Sequence, residues 1–169
     1  MCGGALPASG LFFNTVDRVL AERKESGMEY RRFGNTIIAR VDQDEDLLEK
    51  IERIAILEDV KLGSISGLGT FRYMNVGVYN LEKQQFEGNE FEGTFEIVSL
   101  TGTINTMDGH YYSHLHTAAA DGEGHVFGGH LSKGIIGATC ELVITVIDGR
   151  VDRKRDPKTG LNIFDFKAR

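Results

Sequence analysis

Glycine turn pairs punctuate the chain from its middle to its end: Gly88-Asn89, Asp108-Gly109, Asp121-Gly122 and Asp148-Gly149. Each favours a hairpin, because glycine, asparagine and aspartate tolerate the positive φ that tight turns demand. Between and before them lie strand-like runs: Lys61 to Gly69, Tyr73 to Tyr79, Gln85 to Phe86, Thr94 to Thr103, Tyr111 to Thr117, His125 to Gly129 and Ala138 to Val146. Strands joined this tightly pair antiparallel, since a parallel pair needs a crossover of a dozen or more residues. Three glycines within Lys61 to Gly69 mark bulges or a close backbone approach. Gly67-Leu-Gly69 has no third glycine at the dinucleotide spacing, because position 72 is Arg.

Two further strands, Tyr30 to Phe33 and Thr36 to Val41, flank the turn pair Gly34-Asn35. A helix then begins at a capping box formed by Asp42 and Glu45. Its stripe of Leu47, Leu48, Ile51, Ile54 and Ala55 is built to pack on a sheet. The fold class is α+β, a mostly antiparallel β-sheet with one main helix packed on it, plus a short N-terminal helical arm. The arm covers residues 1–26, with Phe13, Val16, Val19 and Leu20 on one side of its helix, and a single domain covers 27–169.

A chain of 169 residues can bury a sizeable core without staples. Its net charge of -6 argues against a nucleic-acid partner, which would call for clustered Lys and Arg. The densest basic cluster, Arg150 to Arg155, is diluted by Asp152 and reads as a solvated turn. Of the two cysteines, Cys2 and Cys140, the second lies in an apolar run and reads as a small buried hydrophobe. No apolar stretch approaches the ~20 residues of a membrane span. The opening Met-Cys-Gly-Gly-Ala-Leu-Pro lacks a basic, then apolar leader, so the expected location is cytoplasmic.

Chemistry concentrates in His114-Leu115-His116 and Gly128-Gly129-His130-Leu131, which hold three of the five histidines. On a strand, His114 and His116 share one face with Tyr112. If His116 opposes residue 130 on the next strand, all three imidazoles meet. If it opposes 129, His130 points away unless the two glycines form a bulge. Three imidazoles suit a divalent metal such as zinc, and three protein ligands leave a position open. The competing reading is a set of ordinary sheet histidines hydrogen-bonded to their neighbours. His110 reads as an exposed turn residue and His125 as a loop or strand-edge residue.

Five segments occur in order: Lys61 to Gly69, Phe95-Glu-Ile-Val-Ser-Leu-Thr-Gly102, His114-Leu-His116, Gly128-Gly-His-Leu131 and Gly137-Ala-Thr-Cys-Glu141. Together they resemble the PPC domain, named for plants and prokaryotes, in its prokaryotic stand-alone form. Arg153 to Leu161 is similar to that family's closing segment, and the likeness spans about residues 30 to 166. The resemblance implies a homotrimer with His114, His116 and His130 as a metal site, usually zinc. Plant relatives bind DNA through AT-hooks, Arg-Gly-Arg-Pro segments that this chain lacks. Their partner-binding Gly-Arg-Phe-Glu-Ile-Leu is matched by Gly93 to Val98, with Thr94 in place of the arginine.

Three functions follow as expectations. The first is a trimeric metal-binding module that holds a small ligand. The second is a metal-dependent hydrolase or lyase, for which Glu96, Glu141 and His125 are the candidate acids or bases. The third is a DNA-associated regulator.

Overall fold

The structure is a computed structural model that describes residues 29–167. The arm expected over residues 1–26 lies outside the described residues. In chain order the elements are β1 (Glu29–Phe33), β2 (Thr36–Asp42), α1 (Leu47–Leu57), β3 (Gly63–Asn80), β4 (Gln85–Met107), β5 (His110–Ala120), β6 (Val126–Val146), β7 (Asp152–Arg155) and β8 (Asn162–Asp165). They form one eight-stranded sheet in the order β1-β2-β6-β3-β4-β7-β8, with β5 bridging β4 and β6. All pairs are antiparallel except β4 with β7. The α+β expectation holds for the described residues, among which there is a single helix.

The middle strands are far longer than their sequence signals. Lys61 to Gly69 and Tyr73 to Tyr79 merge into β3, which runs through register shifts at Gly67/Gly69 and Phe71/Tyr73. The strand signals at 85–86 and 94–103 merge into β4, and those at 125–129 and 138–146 merge into β6. Gly88-Asn89 is therefore no turn. Gly88 faces Gly77 within the β3–β4 ladder, where a Cβ would strike the Asn75 side chain, and the chain reverses instead at residues 81–84. Because β3, β4, β5 and β6 each pair with two of the others, the four close into a circuit.

Helix α1 buries Leu47, Ile51, Ile54 and Ala55, as its stripe requires. Its cap lies one turn beyond the expected pair. Asp46 accepts from Leu48 N at 2.9 Å and Glu49 N at 3.3 Å, while Glu45 accepts from Asp42 N at 3.0 Å in the preceding turn. The helix joins one continuous core with Phe71, Met74, Ile97, Leu100, Leu115 and Leu131 of the strand circuit. Cys140 is a buried free thiol in that core, and burial pushes its pKa up to about 12. No described helix is long and apolar enough to cross a membrane.

Candidate metal centre

Two turns build the site. Between β4 and β5, Asp108 and Gly109 take φ of 53° and 80°, the double positive that a two-residue type I′ hairpin requires. This turn sets Met107 opposite His110, and the ladder then places Thr103 opposite His114 and Thr101 opposite His116. Strand alternation sends the two imidazoles to one face and Leu115, only 1% exposed, into the core. Between β5 and β6, the Asp121 carboxylate accepts from Glu123 N and His125 N, both at 2.9 Å. This pins the loop so that Ala120 faces Val126, and the pairing runs unbroken to His116 opposite His130.

The register condition for three convergent imidazoles is therefore met without a bulge between β5 and β6. Gly128 and Gly129 serve another purpose, which is close packing on both flanks. A Cβ on Gly128 would strike Thr117 O of β5, and one on Gly129 would strike Gly77 O of β3. Gly129 also takes a φ of 149°, open to glycine but strained for other residues.

One ring nitrogen from each of His114, His116 and His130 lies within 4.8 Å of the other two. His114 Nε2 and His116 Nε2 are 3.2 Å apart. Ring centroids are 5.0 Å apart for His114–His116 and His114–His130, and 5.7 Å for His116–His130. Phe86, beside the turn of the β3–β4 hairpin, meets His130 edge-on at 5.6 Å. His114 and His130 are half-buried and His116 is exposed. Burial lowers the His114 pKa to about 4, helped by the nearby charges of His130, Arg153 and His116. Burial and His116 lower His130 as well. Both rings are thus neutral near pH 7, the state in which imidazole coordinates a metal.

The other sequence candidates lie elsewhere. His125 is an exposed loop residue with Nδ1 3.2 Å from Asp121 Oδ2. Glu96 is exposed and faces Ala120 across the ladder, four residues along β5 from His116. Glu141 is exposed far along β6 from His130, opposite Arg40 and Leu68. None of the three joins the histidine cluster. His110 is exposed at the turn, as expected.

The sequence reading missed Arg153. Instead of lying in a solvated turn, it is 8% exposed and stacks between the rings of Tyr112 at 4.8 Å and Phe164 at 4.4 Å. Its Nε donates to Asn105 Oδ1 at 3.1 Å, Nη1 to Asn162 O at 2.6 Å and Nη2 to Thr103 Oγ1 at 3.4 Å. Nothing in the local sequence marks it, because residues 152 to 155 are all charged.

The model of the Plants and Prokaryotes Conserved (PCC) domain matches residues 28–148. The chain belongs to this family. It is the family that the ordered glycine and histidine motifs resemble, and the match includes all three clustered histidines. Among solved structures, the fold is similar to a candidate DNA-binding protein from Bacteroides thetaiotaomicron, with a TM-score of 0.81 and 26% identity over 83% of this chain and 99% of that one. It is also similar to a metal-containing protein from Archaeoglobus fulgidus, with a TM-score of 0.72 and 29% identity over 81% of this chain and 96% of that one. A curated relative, the bifunctional protein GlmU of Synechococcus sp. (strain JA-3-3Ab), is 32% identical over 119 residues, 69% of this chain. The chain spans 18% of the length of the curated relatives it matches.

Proposed function

We propose that His114, His116 and His130 hold a divalent metal, zinc foremost, and that the domain is a homotrimeric module that binds a small ligand there. The observation that carries this reading is the pairing of His116 with His130, which brings three imidazole nitrogens within 4.8 Å of one another. Two of the rings resist protonation, so the donors are ready at neutral pH. The metal-containing relative from Archaeoglobus fulgidus supports the same reading.

When bound, the ion supplies Lewis acidity and a coordination position that the three histidines leave open. The chain's own contribution is orientation and shielding. The Asp121 loop holds the β5–β6 register, Phe86 covers one side of His130, and Thr101 and Thr103 border the rings from β4. A hydrolase or lyase would need an acid or base within reach of the open position. Among the described residues, the cluster includes no carboxylate, which favours ligand holding over catalysis.

The test is metal analysis of protein prepared without an affinity tag, beside a His114→Ala, His116→Ala double variant, with light scattering for oligomeric state. The expected result is near-stoichiometric metal on a trimer and its loss in the variant. A parent protein that takes up no zinc on titration would overturn the metal reading, and a monomer would overturn the trimer.

A further inference from the structure

The fold sets a second cation beside the proposed metal position and, among the described residues, leaves it without an anion. Its partners there are neutral: Arg153 meets Asn105, Thr103, a backbone carbonyl and two aromatic rings. The carboxylates that flank it in β7 and β8 bond other cations. Asp152 pairs with Arg150 at 3.1 Å and Asp165 with Lys154 at 3.2 Å, and among the described residues no carboxylate pairs with Arg153. A buried guanidinium ordinarily has a carboxylate or phosphate partner, because burying an unmatched charge is costly.

Its position ties it to the histidines. Thr103, which Arg153 Nη2 reaches, stands directly opposite His114. Tyr112, whose ring it covers, precedes His114 by one strand period on the same face. The guanidinium therefore lies along the imidazole face, next to the cluster. Of its five N–H donors, three are engaged and two remain. A divalent ion on neutral imidazoles would add positive charge to a face that holds an unmatched cation.

We propose that Arg153 is the anion anchor of the histidine site and that the ligand is a small carboxylate. One carboxylate oxygen would take the open metal position and the other would meet the guanidinium, which accepts planar oxyanions side-on. This inference rests on the metal reading above.

The test loads the full chain with cobalt(II), whose visible bands report ligands that join the ion, and titrates with sodium acetate, in parallel with inorganic phosphate. Acetate is expected to perturb the bands of the wild type. Its affinity is expected to fall about tenfold in Arg153→Gln at unchanged cobalt content, the size of one lost charge-assisted contact. A measurement on the unmodified protein guards against a misfolded variant: the Arg153 Nη–H resonances of the zinc-loaded wild type should shift with acetate. Wild-type protein that holds cobalt but ignores acetate would overturn the proposal, as would an Arg153 resonance that stays still or an affinity change under twofold. Phosphate binding more tightly than acetate would overturn the carboxylate assignment. Failure to take up cobalt at all would instead refute the metal reading, and the inference with it.

Discussion

Leu115 separates the two histidines of β5 and points the opposite way, so its truncation reads out the face on which the site is built. It is 1% exposed within the core cluster, whereas its neighbour His116 is exposed. Leu115→Ala removes three carbons, worth about 2.4 kcal/mol of transfer free energy at about 0.8 kcal/mol per carbon. The cavity left in a closed strand circuit raises the total to roughly 3–4 kcal/mol. With a urea slope of about 2 kcal/mol per molar, the unfolding midpoint should fall by roughly 1.5–2 M. The assay is urea unfolding of metal-free protein at one fixed concentration, since assembly would otherwise shift the midpoint by mass action. His116→Ala in the same assay should move stability by no more than about 0.5 kcal/mol, as surface changes do. A Leu115→Ala cost below about 1 kcal/mol, with His116→Ala the more damaging change, would refute the strand register. A slip of one residue would exchange the two faces.

Further outcomes follow from the same geometry. The pKa of His114 is about 4 in the fold against the ordinary 6.5, so between those values the unfolded chain binds more protons. The metal-free protein should therefore be most stable above about pH 6.5 and lose stability as pH falls toward about 4. A urea midpoint that is flat from pH 7 to 4.5, or unchanged in its slope by His114→Gln, would contradict this. Gly129→Ala places a Cβ against Gly77 O at a φ of 149° and should cost at least roughly 1–3 kcal/mol in thermal unfolding, with weakened zinc uptake. A fully stable, zinc-competent variant would show that β3 and β6 do not approach there. Asp46→Ala removes the cap of α1 and should cost about 1 kcal/mol while leaving metal content intact, because Asp46 faces Ile135, five residues along β6 from His130.

Local chemistry made some of this legible in the sequence, and long-range partners hid the rest. Asp108-Gly109 reads correctly as a hairpin because the turn needs positive φ only at those two adjacent residues, both of which tolerate it. Gly88-Asn89 carries the same kind of signal, yet its glycine answers to Asn75 and Gly77 on the facing strand. The stripe of α1 follows from its period. Asp42 and Glu45 do make the expected hydrogen bond, but Asp44 between them takes a φ of 68°, so the helix starts only beyond it and Asp46 caps it. For the site, period-two alternation put His114 and His116 on one face. Whether His130 joins them depends on the loop register, which the Asp121 carboxylate sets through two backbone N–H groups. Arg153 was illegible because β7 reaches β4 through a parallel pairing, and the residues that bury its side chain are far away in sequence.

The most direct test of the account is X-ray absorption spectroscopy at the zinc edge of protein loaded with one equivalent of zinc. Three imidazole nitrogens at about 2.0–2.1 Å are expected, with one further light-atom ligand in the open position and no sulfur. A sulfur shell near 2.3 Å, or loss of only part of the imidazole signal in the His114→Ala, His116→Ala, His130→Ala triple variant, would contradict it.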